Sequence, residues 1–531
     1  MNAPKTVLRE ALPESAVALP RGHAAAYADH RRALGLRAWM LTAVLFLIPL
    51  VTYWPATFHD YGLRDDYSNL REAHEEPGTV VKFCASHARP IYGWLLQATY
   101  GQTGSVQDLH WMRFFASLLL GAIALVMFRG LRALGWSFNA SLCFAILLEL
   151  IPSAQVIAGW AVGWPYAATA LLAIAGFFTV EGAVAVGLGV GRSVGQWLMA
   201  LGLMVTSALI YQPSALFYVV PLAGALIAQR RRGLSQTTRW LGVHLGFVVA
   251  ALGMAYCTMS ALYASGVFVK SGRIAFEQHW GEKIAWFVQE TLPNGLSLLV
   301  LNDNNQRDHW LYVACAVLVS GLLLAGLVME WRRHGHARGM VWAMGLFGLP
   351  VFAAGVSLVA SERYATYRTI LAMTAVLLCF LVASVRILTE RWGAPGRRLL
   401  AAAVITLAVF VAQHHVYALI AVPQGNEWQL ILNGAKQVHL NAPARPRIFA
   451  IVSSPRDIST ASIYHDEFGS LSSNSEWVPK EMFKRAMHDL HPEVSNLESR
   501  YEFSEGYKLP SGQHFDVVID MHQLRRFHTD N

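Results

Sequence analysis

Two adjacent aspartates, Asp65 and Asp66, lie in the polar segment that follows the first long apolar run of the chain. A carboxylate pair of this kind can accept a proton from a hydroxyl nucleophile or hold a divalent ion through its oxygens. Adjacent acids also occur in ordinary solvated loops, so the neighbouring residues matter. Tyr67 and Arg71 follow the pair, and Arg89 opens a basic and aromatic stretch in the same segment. We take this segment as the first candidate site.

Two arginines, Arg363 and Arg368, lie in a short polar turn between two later apolar runs. The planar guanidinium offers a fork of N–H donors that matches the geometry of a phosphate group. Both arginines are therefore candidates for binding a substrate phosphate, and Glu362 beside them is a candidate for contacting the substrate. The alternative is that these side chains extend to the membrane interface and pair with lipid headgroups.

Three weaker candidates lie elsewhere. Tyr211 and Gln212 precede Pro213 at a tight turn, where the alternative is an ordinary proline turn with an interfacial tyrosine. Glu149 lies in an apolar run, where an unpaired charge is costly and indicates function unless the side chain reaches the interface. Asn302 opens an Asn-Asp-Asn-Asn run that would suit sugar hydroxyls, although a capping turn is the simpler interpretation.

Long apolar runs must position these groups. The chain of 531 residues is 54% hydrophobic and 14% charged, which is more apolar surface than one soluble core can bury. A membrane-spanning helix needs about 20 mostly apolar residues. The sequence therefore predicts an α-helical polytopic membrane protein with about eleven transmembrane helices. Their approximate positions are 38–54, 112–129, 139–156, 163–180, 196–211, 213–228, 240–260, 309–329, 340–360, 367–388 and 399–421.

The charges between the runs predict the orientation. With the N-terminus in the cytoplasm, every cytoplasmic connection is net basic or nearly so, as the positive-inside rule requires. These connections contain Arg129, Arg132, Arg192, Arg230, Arg231, Arg232, Arg239, Arg332, Arg333, Arg338, Arg391, Arg397 and Arg398. The formal net charge of +8 is thus explained by topology signals, and no nucleic-acid partner is predicted.

The same assignment divides the chain into three parts. We predict a cytoplasmic tail over 1–36, a membrane domain over 37–422 and a soluble extracytoplasmic domain over 423–531. Two long loops of the membrane domain, 55–111 and 261–308, are predicted to be extracytoplasmic. The soluble domain is predicted to be a small α/β domain. Its predicted strands and helices are 447–452, 515–520, 427–440 and 479–490.

One loop segment has helical periodicity. In the second long loop, apolar side chains from Phe276 to Thr291 recur at helical spacing, with Glu277, Glu282 and Lys283 on the other side. This pattern predicts a helix that lies in the membrane interface or on a globular cap.

The motifs together resemble a known class. A first span, a loop opening with Asp65-Asp66-Tyr67 and a soluble tail after many spans resemble the GT-C class of membrane glycosyltransferases that use polyprenyl-phosphate sugars. Within that class, Arg71, Arg89-Pro90 with Tyr92-Gly93, and Tyr211-Gln212 are similar to the bacterial O-antigen glucosyltransferase family that alters serotype. The C-terminal domain departs from that family's pattern, so lipid or protein acceptors stay open.

The resemblance implies a reaction. The expected donor is a polyprenyl-phosphate sugar, and the expected acceptor is a cell-envelope glycan or lipid on the periplasmic side of a bacterial inner membrane. Asp65 or Asp66 would remove a proton from the acceptor hydroxyl, which displaces the lipid phosphate with inversion. A retaining route would need a second carboxylate, for which Glu149 and Glu362 are candidates.

The remaining candidates take roles in binding. Arg363 and Arg368 would stabilise the leaving phosphate, while Arg71 and Arg89 would orient the carboxylates or touch that phosphate. The groups expected to contact the substrate are Tyr67, Tyr211, Gln212, Glu149 and Glu362. No feature selects glucose or another sugar, and a divalent cation, Mg²⁺ or Mn²⁺, is one candidate cofactor.

Two other classes fit the same sequence. A transporter or flippase for a lipid-linked saccharide would share the spans and the loop arginines, although transporters place their sites near the bilayer midplane. The apolar runs contain few ionisable residues, which favours a reaction at the membrane surface. A noncatalytic envelope-assembly protein would leave Asp65 and Asp66 unexplained.

Overall fold

The computed structural model describes residues 21–186, 190–229, 233–302, 310–364, 366–452 and 467–526. The chain divides after Val44 into a short N-terminal unit and a unit from Leu45 to Asn531, and the candidate site lies within the second unit. The arginines at 230–232 and all of the Asn-Asp-Asn-Asn run except Asn302 fall outside the described residues.

The described residues form a mostly helical protein with one small sheet. The helices are α1 Arg21–Thr57, α2 Asp65–Glu75, α3 Thr79–Ser86, α4 Pro90–Tyr100, α5 Leu109–Ala133, α6 Phe138–Leu148, α7 Pro152–Gly159, α8 Trp164–Val186, α9 Val190–Ile210, α10 Gln212–Ala215, α11 Val219–Ala228, α12 Leu234–Ala264, α13 Trp280–Trp286, α14 Leu292–Leu296, α15 Trp310–Ala353, α16 Gly355–Val359, α17 Leu371–Leu388, α18 Ala394–Val416, α19 Val422–Lys436, α20 Val478–Leu490 and α21 Gln523–Arg526. The strands are β1 Arg447–Ile451, β2 Glu502–Gly506 and β3 Val517–Asp520.

Seven helical stretches among the described residues are long and apolar enough to cross a membrane. They are Trp39–Thr57, Leu109–Ala133, Ala161–Val184, Leu234–Ala264, Trp310–Ala353, Leu371–Leu388 and Ala394–Lys436. An eighth is formed if α6 and α7, which meet at a 49° bend, are one span. The polytopic helical fold with a small C-terminal domain is therefore confirmed.

Seven or eight described stretches correspond to the predicted eleven spans because some of them differ in length or contain two spans. The runs predicted at 309–329 and 340–360 lie on either side of the break in α15, where Gly335 adopts φ 79° and ψ 179°. The runs predicted at 196–211 and 213–228 form the shorter apolar helices Val194–Ile210 and Gln212–Ala228. The positions of these runs and the break between the first two therefore agree with the prediction.

Close helix packing explains one glycine in the bundle. A Cβ atom added to Gly326 of α15 would lie 2.1 Å from the Ser384 hydroxyl oxygen and 2.9 Å from the Ser384 Cα atom of α17. The two helices can approach this closely only because position 326 carries no side chain.

Two pairs of ionisable residues lie in or beside the candidate spans. The His244 Nε2 atom is 3.1 Å from a carboxylate oxygen of Glu181, and the Arg338 Nε atom donates to Glu330 at 2.9 Å. The second contact is an ion pair, which lowers the cost of burying both of its charges.

The first long loop, 55–111, is itself helical. It contains α2, α3 and α4, and α3 packs so closely on α4 that a Cβ atom on Gly93 would lie 2.8 Å from the Val81 Cα atom. The second long loop contains α13, then a π-helical turn at Phe287–Thr291, then α14. Lys283, expected on its polar outer side, is instead buried and donates to the carbonyls of Ala360 and Glu362 at 2.7 and 2.9 Å.

The C-terminal domain has a parallel sheet in the order β2-β1-β3. Strands β1 and β3 correspond to the predicted strands, and α19 and α20 to the predicted helices. Strand β2 was not predicted because its sequence, Glu-Phe-Ser-Glu-Gly, is polar and half exposed. The predicted domain boundary at 422 falls within the helical stretch Ala394–Lys436. Pro423 is tolerated there because it stands in the first turn of α19, where its missing N–H group is not needed.

Candidate functional site

A buried arginine shapes the chain just ahead of the aspartate pair. Arg113 in the first turns of α5 donates to three main-chain carbonyls, those of Thr57, Tyr61 and His59, at 3.2, 2.9 and 2.7 Å. Its guanidinium also lies over the Tyr61 ring, 4.1 Å from the centroid. These contacts position the segment that leads from the end of α1 to the start of α2.

Asp66 is held rigidly inside this segment. Its side chain is 0% exposed, accepts a hydrogen bond from the Leu63 main-chain N–H at 2.8 Å and accepts another from the Tyr100 hydroxyl. Burial raises the pKa of the Asp66 carboxyl to about 7, although both hydrogen bonds lower it. Both oxygens are therefore engaged in orienting the start of α2.

Asp65 has a different environment, although it is the adjacent residue. It is half-buried at the first position of α2, and no hydrogen bond to its carboxylate is found among the described residues. Burial raises the pKa of Asp65 above its ordinary value, while the nearby charges of Arg368, Arg64 and Arg273 lower it. The site therefore combines an accessible carboxylate with several cationic groups.

Arg368 is the most firmly positioned of these cations. Its guanidinium lies over the face of Trp160, 4.6 Å from the ring centroid, and donates to the Tyr364 hydroxyl at 2.7 Å. The indole N–H of Trp160 in turn donates to the Leu63 carbonyl at 3.0 Å, two residues before Asp65. Trp160 thus connects the arginine to the segment that carries the aspartate.

Arg89 forms a second cationic position. It lies over the Tyr211 ring, 4.6 Å from the centroid, and its Nε atom is 3.3 Å from the Gln212 side-chain oxygen. Gln212 also donates to the Ala88 carbonyl at 2.6 Å, which supports the positive φ of 61° at Ala88. The sequence candidates Arg89, Tyr211 and Gln212 are therefore brought together.

Aromatic rings join this second position to the first. Tyr166 packs on Tyr211 at a centroid distance of 4.1 Å and on Tyr92 at 5.4 Å, and the hydroxyls of Tyr92 and Tyr166 are 2.9 Å apart. The Tyr92 hydroxyl also donates to the Val162 carbonyl at 3.2 Å, two residues after Trp160. The residues share one location, at the ends of several candidate spans.

Several sequence candidates lie apart from this location. Arg71 is surrounded by carboxylates of Glu72, Glu75, Glu76 and Glu481, with its shortest contacts at 2.7 Å. Arg363 is paired with Glu282 at 2.5 Å in an exposed turn, and neighbouring Glu362 is exposed. These contacts explain the two arginines as structural groups, and roles for them in substrate binding stay predictions.

Glu149 and Tyr67 are buried in other surroundings. Glu149 lies at the bend between α6 and α7, is 1% exposed, and its carboxylate has no hydrogen-bond partner among the described residues. Tyr67 donates to the Gly62 carbonyl at 3.0 Å and stacks on Trp428 at 5.5 Å. Asn302, from the possible sugar-binding run, donates to Asn294 at 3.1 Å.

The C-terminal domain contributes residues that sequence reasoning missed. Arg64 donates from its main-chain N–H to Ser472 and from its guanidinium to Ser470, both at 2.9 Å. Glu467, which is 0% exposed, is 3.1 Å from Arg368 and raises the pKa of Asp65. No local pattern marks these residues, because about four hundred positions separate Ser470 and Ser472 from Arg64, and about one hundred separate Glu467 from Arg368.

A buried acceptor supports this C-terminal segment. The Glu427 carboxylate accepts from the main-chain N–H groups of Ser472 and Ser473 at 2.9 and 2.8 Å. Gln424 donates to the Ser470 carbonyl at 2.5 Å. Both residues lie on α19, so the helix that continues from α18 holds the segment against the site.

The described residues do not offer a ready metal site. No group of three or more histidine, cysteine, aspartate or glutamate side chains among them could hold a metal ion. Asp65 and Glu467 are two carboxylates near each other, but arginines rather than further ligands surround them. The protein groups described here therefore do not fit a Mg²⁺ or Mn²⁺ ion held by protein ligands alone.

Comparisons with known proteins give little support to any assignment. No family model and no curated protein matches the sequence. Among solved structures, the chain is similar to a crystal structure of the Archaeoglobus fulgidus oligosaccharyltransferase with zinc and sulfate, at 11% identity and a TM-score of 0.40. The similarity covers 84% of this chain and 61% of that one, so this chain spans less than two thirds of that structure's length.

Proposed function

We propose that this protein is a membrane glycosyltransferase of the GT-C type that uses a polyprenyl-phosphate sugar as donor. The observation that carries the proposal is the pairing of a half-buried, accessible Asp65 with the cationic group of Arg368, Arg64 and Arg273. The base needed to activate a hydroxyl is therefore within the electrostatic influence of cations that can receive a phosphate, and Trp160 connects Arg368 to the segment of Asp65.

The location of the site supports a donor anchored in lipid. Asp65 follows the end of one candidate span, Trp160 immediately precedes another, and Arg368 lies just ahead of α17. A polyprenyl phosphate keeps its charged group at the bilayer surface, so groups that act on it must lie at the ends of spans rather than at their centres.

In the proposed reaction, a hydroxyl oxygen of the acceptor attacks the anomeric carbon of the donor sugar. Its proton passes to the Asp65 carboxylate as the bond forms. The bond between the anomeric carbon and the phosphate oxygen breaks, and the electron pair leaves with the polyprenyl phosphate. Arg368 stabilises the charge that develops there, and one displacement inverts the anomeric configuration.

The neighbouring residues have distinct roles in this proposal. Asp66 orients the start of α2 through Leu63 and Tyr100 instead of accepting the proton itself. Arg89, held by Tyr211 and Gln212, is the second group proposed to bind the donor. Arg71 and Arg363 act structurally through their ion pairs.

The proposed setting follows the charge pattern of the sequence. We propose a bacterial inner membrane with the N-terminus in the cytoplasm and the site and C-terminal domain in the periplasm. The proposed acceptor is a cell-envelope glycan or lipid, as in the O-antigen glucosyltransferase family that the motifs resemble. The transferred sugar, glucose or another, is an outcome of the experiment below.

The test is sugar transfer in proteoliposomes with a panel of polyprenyl-phosphate sugars and envelope acceptors. Wild-type protein should transfer from at least one donor, and Arg368→Gln should lower transfer by about 10²-fold. Arg363→Gln is the matched control, because it removes an equal charge from the same turn and should leave transfer nearly unchanged. Equal losses in both variants, or no transfer from any donor, would contradict the proposal. Chelation with EDTA in the same assay tests for a divalent ion.

One observation favours a second candidate, a transporter or flippase for a lipid-linked saccharide. Glu149 is a buried carboxyl without a described hydrogen-bond partner at a broken span, and broken spans with buried acids are typical of transporter sites. Movement of a fluorescent polyprenyl-phosphate sugar across the bilayer, lost in Glu149→Gln but kept in Asp65→Asn, would favour transport over transfer.

A further inference from the structure

A carboxylate from the C-terminal domain, Glu467, pairs with Arg368 at the centre of the site. Glu467 is 0% exposed, and its Oε1 atom lies 3.1 Å from the Arg368 Nη1 atom. It also raises the pKa of Asp65, so the two acids and the guanidinium share one small region. None of the sequence motifs includes Glu467.

The geometry of Arg368 limits how a phosphate can bind beside Glu467. The guanidinium carbon lies over the Trp160 ring, 4.6 Å from its centroid, so the indole packs against one side of the group. A guanidinium donates hydrogen bonds only in its own plane, through the edge that its N–H groups form. Tyr364 and Glu467 contact that edge. A phosphate that binds the Nη1 and Nη2 end of Arg368 through two parallel hydrogen bonds must therefore compete with Glu467 for Nη1.

We propose that Glu467 is an exchangeable counter-ion of Arg368, which the phosphate of the polyprenyl donor displaces when it binds. This inference rests on the proposed function for the identity of the anion. In the donor-free protein, Glu467 neutralises a guanidinium whose side chain is only 14% exposed, and whose partial desolvation would be costly without an anion. In the bound state the phosphate takes over that neutralisation.

The exchange has a consequence for turnover. Because the Glu467 carboxylate competes for the Arg368 guanidinium, it lowers the affinity of the site for every phosphate, including the polyprenyl phosphate that remains after transfer. Glu467 therefore promotes release of the lipid product at some loss of donor affinity. Its neutral variant should bind phosphate more tightly and release it more slowly, which lowers both KM and kcat.

A merely structural role for Glu467 makes the opposite prediction. The segment after it is held by separate contacts, including Gly469 N–H to the Leu419 carbonyl at 2.7 Å and Ser472 to Glu427 at 2.9 Å. If Glu467 served only to attach this segment, its removal would loosen the site, and phosphate would bind equally well or less well.

The test measures binding rather than transfer. Farnesyl phosphate and inorganic phosphate are titrated calorimetrically into the purified full-length chain in detergent, for wild type and for Glu467→Gln. We expect the dissociation constant for farnesyl phosphate to fall on the order of tenfold in the variant. The gain should disappear in Glu467→Gln combined with Arg368→Gln. A gain for both ligands indicates phosphate recognition alone, while a gain for farnesyl phosphate only indicates a lipid-linked ligand.

Two further variants make the result decisive. Glu467→Asp shortens the side chain by one methylene group and should bind farnesyl phosphate with intermediate affinity. This variant also tests the inference if Glu467→Gln does not fold. Glu498→Gln removes an equal charge from the same domain at a half-exposed contact with Lys484 and should bind as wild type does. Unchanged or weaker binding in Glu467→Gln, or an equal gain in Glu498→Gln, would overturn the inference.

The outcomes for the two proposals are separable. Tighter phosphate binding by Glu467→Gln, without transfer by the wild type from any donor, would contradict the glycosyltransferase proposal and support the anion exchange at Arg368. Transfer by the wild type with no gain in phosphate affinity in Glu467→Gln would support the glycosyltransferase proposal and overturn the anion exchange at Arg368.

Discussion

Arg71 and Glu481 are joined by an ion pair with a 2.7 Å hydrogen bond from Nε to Oε2, although 410 positions of the chain separate them. The pair joins α2, which begins with Asp65, to α20 of the C-terminal domain. Arg485 of the same helix donates to the Gly104 carbonyl in the first long loop. The C-terminal domain is therefore part of the structure that positions the aspartate pair.

The Arg71–Glu481 pair should contribute to stability through this docking. Both side chains are mostly buried, at 15% and 13% exposure, so the coupling should exceed that of an ordinary surface pair. We expect a coupling of about 1–2 kcal/mol from Arg71→Gln, Glu481→Gln and the double variant, measured by denaturation in detergent. Additive single effects would show that the pair does not dock the domain. Lys82→Gln, an exposed change on α3, is the control.

Asp66 should make stability depend on pH. Its pKa of about 7 in the folded protein is above its ordinary value of 3.8, so protonation favours the folded state. This stabilisation is fully present below about pH 4 and is lost as the pH rises through about 7. The midpoint of thermal unfolding should therefore fall between pH 5 and pH 8.5 through this group.

Asp66→Asn should weaken that pH dependence, because an amide keeps the contacts with Leu63 and Tyr100 and does not titrate. Asp60→Asn, at an exposed position six residues earlier in the same loop, should keep the wild-type slope. Identical slopes in wild type and Asp66→Asn would show that Asp66 is not the responsible group.

The charges around Asp65 should move the pH profile of transfer in opposite directions. Arg368 lowers the pKa of Asp65 and Glu467 raises it. Arg368→Gln should therefore shift the acidic limb of the kcat profile to higher pH, since the base stays protonated longer. Glu467→Gln should shift it to lower pH. Shifts in the same direction would contradict the assignment of Asp65 as the titrating base, and Arg363→Gln should cause no shift.

Packing between α15 and α17 should tolerate no side chain at position 326. Gly326→Ala places a Cβ atom 2.1 Å from the Ser384 hydroxyl oxygen and should cost about 1–3 kcal/mol of stability. Gly321→Ala on the same helix is the control, because nothing lies within 4 Å of a Cβ atom there. Equal thermal unfolding midpoints for the two variants would show that the helices are not packed this closely.

The sequence predicted the apolar runs, the strands β1 and β3, and the segment that carries Asp65. These features are local, because a run of apolar residues can be recognised within the chain itself. The break of α15 was predicted as the charged connection between the runs 309–329 and 340–360, although the φ of 79° that Gly335 adopts there was not.

The division of roles within the site was beyond the sequence. Asp65 and Asp66 are chemically identical, and only their burial and hydrogen bonds separate the rigid acid from the accessible one. Arg363 and Arg368 stand in one turn, yet one pairs with Glu282 and the other lies near Asp65. Glu467 comes from a distant part of the chain, and only the folded structure brings it to the site.

The central claim is that Asp65, and not its buried neighbour, accepts the proton from the acceptor. Single-turnover transfer from a saturating polyprenyl-phosphate sugar, compared between Asp65→Asn and Asp66→Asn at matched protein levels, tests it most directly. The account predicts a loss of about 10²-fold or more in Asp65→Asn, with farnesyl phosphate binding retained, and a smaller loss in Asp66→Asn. Transfer by Asp65→Asn within a few-fold of wild type, or a larger loss in Asp66→Asn, would contradict it.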